Sequence, residues 1–202
     1  MLLYVSLAAV AMALSSVAAQ DEEFCPLVGL FTCSHLVDVT KEDIGYDENE
    51  EVLDKKCGET TPFMKCLVQT AQKCSGHTEN HFYQYFKDQY DTLLKLCDKN
   101  DDLRKRYLNN AKCLNKHKKE VDKKCGELFD FNMIDDLDKN LCAKLKGNFK
   151  CTFDEADKKC GKEASDVLKE IMQSTTTFLD KNCNKLKLSD LRILRSMPHR
   201  LY

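Results

Sequence analysis

The sequence predicts an all-α fold, a disulfide-stapled helical bundle made of two tandem six-cysteine units. Three observations predict it. Apolar residues recur at the 3.6-residue period of a helix along most of the chain, with no strand-like alternation. Twelve cysteines fall in two series of nearly matching spacing. Only 7 Gly and 3 Pro punctuate 202 residues, too few for the turns of an all-β protein.

At the start of the chain, residues 1–19 carry no charged side chain and run through an apolar stretch, Leu2 to Leu14, into Ser15, Ser16, Val17, Ala18 and Ala19. The stretch is shorter than the roughly 20 residues of a membrane span and is followed by the acidic Asp21, Glu22 and Glu23. It reads as a signal peptide cleaved after Ala19. No other segment approaches span length, so the mature chain is expected to be soluble and extracellular, without a transmembrane anchor. A formal net charge of −2, with 32% charged residues, describes a well-solvated surface and gives no global bias toward nucleic acid.

Two units follow, residues 20–100 and 101–184. From Cys57 the gaps to Cys66, Cys74 and Cys97 are 8, 7 and 22 residues, and from Cys142 the gaps to Cys151, Cys160 and Cys183 are 8, 8 and 22. Each series is preceded by two further cysteines, Cys25 and Cys33 in the first, Cys113 and Cys125 in the second. Local sequence agrees, with Met64-Lys65-Cys66 answered by Phe149-Lys150-Cys151. This is the pattern of an internal duplication.

Within the first unit, Phe63, Cys66, Leu67, Thr70, Ala71 and Cys74 lie on one helix face, and Thr61-Pro62 reads as a cap and first helical residue. Phe82, Phe86, Tyr90, Leu93 and Cys97 mark the next helix. Leu103, Tyr107, Ala111 and Leu114 mark another, continued by Val121, Cys125 and Leu128. Leu137, Leu141 and Leu145, then Val167, Ile171, Thr175 and Phe178, mark the last two. Asp-Lys-Lys-Cys-Gly occurs at 54–58, 122–126 and 157–161 and reads each time as a helix stop, with lysines at the negative end of the dipole and a glycine beyond it. The acidic stretch Glu42 to Asp54 reads as an exposed, mobile loop.

All 12 cysteines lie after residue 19, their number is even, and none is spaced C-x2-C as zinc and redox motifs require. Six disulfides are expected, paired within each unit. A helix over 79–96 holds its ends about 27 Å apart, against the 5.5–6 Å that paired Cα atoms need, which disfavours Cys74 to Cys97 and equally Cys160 to Cys183. Cys66 and Cys74, about 12 Å apart on one face, staple outward to other segments.

Catalytic signatures are missing. His77 and His81 have metal-ligand spacing, but Thr78 stands where a metalloprotease has Glu. Asp98, Asn100 and Asp102 match the start of a calcium loop, but Leu103 replaces its glycine and Asn109 its final glutamate, so helix capping is the better reading. No phosphate loop, nucleophile elbow or cysteine nucleophile pattern occurs. A non-enzyme without cofactor or metal is expected. The tail, residues 185–202, joins Lys187, Arg192, Arg195 and Arg200 to Leu188, Leu191 and Leu194 as a basic amphipathic segment. It either docks on the chain's own acidic surface or touches a membrane surface or acidic partner.

The spaced cysteines on amphipathic helices, with segments such as Lys65-Cys66-Leu67 and Ala111-Lys112-Cys113-Leu114-Asn115-Lys116, resemble a family of secreted cysteine-rich helical proteins of arthropods and nematodes. The chain is also similar to the insect haemolymph glycoproteins of this length, though it has no N-x-[ST] sequon. The resemblance covers most of residues 25–183 and implies an extracellular protein. Insect odorant-binding proteins are six-cysteine helical units too, but their C-x3-C spacing is absent. Two functions suit such a scaffold. One is carriage of small apolar ligands, with Phe82, Tyr83, Tyr85, Phe86 and Tyr90 as the candidate lining. The other is interaction with an extracellular protein partner, in haemolymph, saliva or venom, through the surface.

Overall fold

The computed structural model describes residues 32–36, 45–74, 81–126 and 141–182, with the backbone only at Ser34, Cys74, His81, Phe82, Leu141, Cys142 and Asn182. The expected signal peptide, Cys25, His77, Leu128, Leu137, Cys183 and the tail over 185–202 lie outside the described residues, as do the side chains of Cys74 and Cys142. Among the described residues the fold is all-α, with no strand. A short 3-10 turn, Ser34–Leu36, precedes five helices: α1 Glu50–Cys74, α2 His81–Cys97, α3 Asp102–Cys125, α4 Leu141–Cys160 and α5 Lys162–Asn182.

Four disulfides fix how these helices lie. Cys57–Cys97 ties the start of α1 to the end of α2, so the two run antiparallel, and Cys33–Cys66 ties the 3-10 segment to the middle of α1. Cys113–Cys160 and Cys125–Cys151 make α3 and α4 antiparallel in the same way. All four stay within the expected halves, and Cys66, Cys97 and Cys160 each bond a partner other than the ones that helix length disfavoured.

The core does not respect the boundary between the halves. Helix α5 runs through all of it. Its Phe178 joins Cys33, Phe63, Met64, Leu67, Tyr85 and Phe86 of the first half. Val167, Ile171, Met172 and Leu179 join Leu53, Leu96, Leu103, Tyr107 and Phe149, and Ala164 and Leu168 pack with Leu114 and Ala156. Burying a large apolar side chain is worth about 1.5–3 kcal/mol. Residues from both halves share that stabilisation.

Two of the three Asp-Lys-Lys-Cys-Gly copies end helices as expected. Gly126 and Gly161 take φ of 83° and 90°, and their N–H groups donate to the carbonyls of Asp122 and Asp157, both at 2.9 Å. At Gly126 the side-chain amide of Asn148, with its NH2 toward the helix end, donates to Cys125 O at 2.8 Å and Lys144 O at 3.1 Å. That bond closes one of the carbonyls left open at the end of α3.

The first copy does not stop a helix. Helix α1 runs on through Gly58, and Pro62, expected at its start behind Thr61, sits inside it. The proline has no N–H for the carbonyl four residues back, and that residue is Gly58, the one best able to yield to the ring. Tertiary forces outweigh the local signal: Phe63, Met64 and Leu67 are buried beyond the proline and Leu53 before it, and disulfides grip the helix at Cys57 and Cys66.

The acidic stretch is also corrected where the structure describes it. Residues 50–54 belong to α1, and residues 46 and 47 are docked on α3. Asn115 brackets Tyr46, accepting from its N–H and donating to its carbonyl, both at 2.7 Å. The Asp47 N–H donates to the Tyr107 hydroxyl at 2.8 Å, and the Asp47 carboxylate, 4% exposed, pairs with Lys56 at 3.2 Å. Asp54 meets Arg104 at 2.6 Å and Lys99 at 2.8 Å. Repulsion among these carboxylates is relieved by cations from α1, the α2–α3 turn and α3.

Candidate functional site

The candidate lining residues come from the amphipathic face of α2. That helix presents Tyr85, Phe86, Gln89, Leu93 and Leu96 inward at helical spacing. Tyr85 and Phe86 are buried, and their rings stack obliquely with centroids 5.6 Å apart. Tyr85 also meets Phe178 of α5 at 5.0 Å. Tyr83 and Tyr90 pack half-buried on the edge of the same cluster. Phe82 is described by its backbone alone.

Inside this apolar cluster lies a polar group that no sequence motif marks. Gln89, 3% exposed, donates from Nε2 to Thr175 Oγ1 of α5 at 2.9 Å. Burial pushes the Tyr85 phenol pKa up, and hydrogen bonds from the Thr175 and Gln89 side chains offset part of that rise. A buried polar group without such partners costs about 1–3 kcal/mol, so the three side chains protect one another. Thr175 lies on the apolar face that the sequence marks in α5, and Gln89 falls on the same stripe as Tyr85 and Phe86. A buried Gln on an apolar stripe was the available signal.

The chemistry open to this set is limited. A neutral phenol, an amide and a hydroxyl orient groups by hydrogen bonding, but none is a strong nucleophile or a base at neutral pH. Nearby on α5, the Ser174 hydroxyl is buried with no hydrogen-bond partner among the described residues.

The other candidates resolve into structural roles. Asp101 caps α3, its carboxylate accepting from Leu103 N at 2.7 Å, and Asp98 accepts from Asn100 N at 2.9 Å. Asp102 pairs with Arg106. The resemblance to a calcium loop therefore reflects capping and turn formation. Among the described residues no group of three His, Cys, Asp or Glu side chains is placed to hold a metal.

Two further sites are strongly polarised. Glu155, 6% exposed at its side chain, lies between Lys124 at 2.9 Å and Lys158 at 2.8 Å. Hydrogen bonds from these two lysines lower its pKa to about 2. Tyr46 goes the other way, pushed up to about 12 by burial and by the charge of Asp122. Both sit where α3 meets another segment. Arg104, buried, donates to Leu96 O at 3.2 Å and to Asp54, joining α1, α2 and α3 beside Cys57–Cys97.

No helix among the described residues is long and apolar enough to cross a membrane. No protein-family model matches the chain, and no curated protein or solved structure resembles it.

Proposed function

We propose that this is a secreted, non-enzymatic protein of two tandem six-cysteine units that acts on an extracellular partner through its surface. The observation that carries the reading is how the interior is filled. Tyr85 and Phe86 pack as core with Phe63, Met64, Leu67 and Phe178, and the polar side chains among them bond one another. Such an interior serves folding, which leaves recognition to the outside.

The staples support the extracellular compartment. Disulfides persist in oxidising surroundings, and four are formed among the described residues. The signal peptide read in residues 1–19 supplies the route. In the medium of a secreting cell, N-terminal sequencing is expected to begin at Gln20.

The duplication gains support from the bonds. The second and fourth cysteines of the first unit, Cys33 and Cys66, are joined, and so are the second and fourth of the second unit, Cys125 and Cys151.

Displacement of a fluorescent fatty acid tests the surface reading against carriage. The oxidised protein is expected to show no saturable uptake. Uptake that Phe86→Ala abolishes, in a variant still folded by circular dichroism, would sink it in favour of a carrier.

A further inference from the structure

Helix α3 carries nine Lys and Arg against three Asp and Glu, a net charge of +6 in a chain whose net charge is −2. Its buried face is formed by Leu103, Arg104, Tyr107, Asn110, Ala111, Leu114, Val121 and Cys125. On the opposite face stand Lys105, Lys112, Lys116, Lys119 and Lys123, all exposed. At 3.6 residues per turn these five fall within an arc of about 60°, in a straight row about 27 Å long.

Charge pairing elsewhere on the helix passes this row by. The carboxylates of α3 are engaged by other cations: Asp102 by Arg106, Glu120 by Lys159 and Asp122 by Lys118. Lys124 is taken by Glu155. Lys105 donates only to the neutral carbonyl of Asn100, at 3.2 Å. Among the described residues, Lys112, Lys116, Lys119 and Lys123 meet no carboxylate. Aligned like charges at i, i+4, i+7 and i+11 destabilise a helix by a few tenths of a kcal/mol per pair unless an anion lies across them.

We infer that this row is a docking surface for a linear sulfated polysaccharide. The inference rests on the extracellular reading above and names the partner's chemistry. A polyanionic chain lays successive sulfates along a straight row of ammonium groups, each contact weak alone and additive along the polymer, with release of the polymer's counterions. A membrane surface fits less well: among the described residues the exposed large apolar side chains are Leu36, Val52 and Leu94, none of them on α3, so no described residue beside the lysines is placed to insert among acyl chains. A nucleic acid fits less well too, because the one aromatic residue of α3, Tyr107, is buried and offers no stacking platform.

The test uses the full oxidised protein on immobilised heparin, with vesicles of phosphatidylserine and phosphatidylcholine as a second arm. One variant combines Lys112→Gln, Lys116→Gln, Lys119→Gln and Lys123→Gln. A control combines Lys65→Gln, Lys73→Gln, Lys144→Gln and Lys181→Gln, four exposed lysines on other helices, so both lose the same charge. Glutamine keeps helix propensity nearly unchanged. The row variant is expected to bind heparin at least about tenfold more weakly and to lose about 0.7 per lysine from the slope of log affinity against log salt, while the control stays within about twofold of the parent. No heparin binding by the parent, or equal loss in both variants, overturns the assignment. So does vesicle binding that depends on the row while heparin binding does not. The fatty-acid experiment reads the surface proposal separately, so a polysaccharide failure with no fatty-acid uptake removes this inference alone.

Discussion

Glu155 shows how much a single side chain's surroundings decide. Lys124 and Lys158 hold it ionised in the folded protein down to about 2, against an ordinary value of 4.5. A depressed folded pKa gives a stabilising contribution that is complete above the unfolded value and lost as pH falls through the folded one. Glu155→Gln is therefore expected to lower the urea midpoint at neutral pH, and the gap from the parent to close between about pH 5 and 2. A gap that stays constant over that range would contradict the assignment. Gly126 makes a steric counterpart. Its φ is 83°, and a Cβ there would stand 2.8 Å from the end of the Asn148 side-chain amide. Gly126→Ala combines backbone strain with loss of the amide that closes α3, and is expected to cost about 2 kcal/mol in denaturant unfolding. Gly161→Ala, where φ is 90° and no atom lies within 4 Å, should cost less. The sequence made both glycines legible as helix ends, because lysines and glycine recur there. It could not reveal Asn148, whose role depends on a neighbouring helix, nor the pairing of Gln89 with Thr175 across 86 residues.

At the scale of an element, periodicity was a good guide to which residues face inward and a poor one to where α1 begins. Phe63, Leu67 and Ala71 were expected inside and are buried. Gly58 and Pro62 were expected to break the chain there and do not. Local propensity is worth a few kcal/mol at most, whereas two disulfides and the burial of four large side chains act on the same helix. Pro62 is exposed and contributes little packing. Pro62→Ala would restore the N–H missing from the i→i−4 ladder and is expected to raise stability by about 1–2 kcal/mol, or roughly 3–6 °C in melting temperature for a chain this size. A fall would show that the helix depends on the proline's geometry. The acidic segment departs from the expected loop for a related reason: charge density describes a loop only while its countercharges are unknown, and Lys56, Lys99 and Arg104 are brought to it by folding.

For the whole molecule, the staples close loops spanning 26 to 47 residues. Each such closure is worth about 3–4 kcal/mol in the chain-entropy account. The all-α class was legible from apolar periodicity and the scarcity of Gly and Pro, and the confinement of the four described bonds within halves from cysteine spacing. The common core was not, because spacing within one unit carries no information about what the other covers. Reading the two units together gives a further expectation. The bonds found are second to fourth in both units, third to sixth in the first (Cys57–Cys97) and first to fifth in the second (Cys113–Cys160). If the units are copies, peptide mapping of the unreduced protein is expected to recover Cys25 with Cys74 and Cys142 with Cys183. Any peptide bridging residues 20–100 to residues beyond 112 would contradict it.

The bond between Gln89 and Thr175 joins positions 86 apart, and 86 is also the offset from Cys97 to Cys183 and from Cys74 to Cys160. If the units are copies, Gln89 and Thr175 are counterparts, each touching its own equivalent. Only a position on a two-fold axis does that, which is the geometry of a symmetric dimer. On that reading the chain would be a covalently fused pair of diverged copies, with the axis through the buried hydrogen bond. Either single change, Gln89→Thr or Thr175→Gln, is expected to cost about 1–2 kcal/mol, and the double exchange to recover most of it, since the axis places donor and acceptor alike from either side.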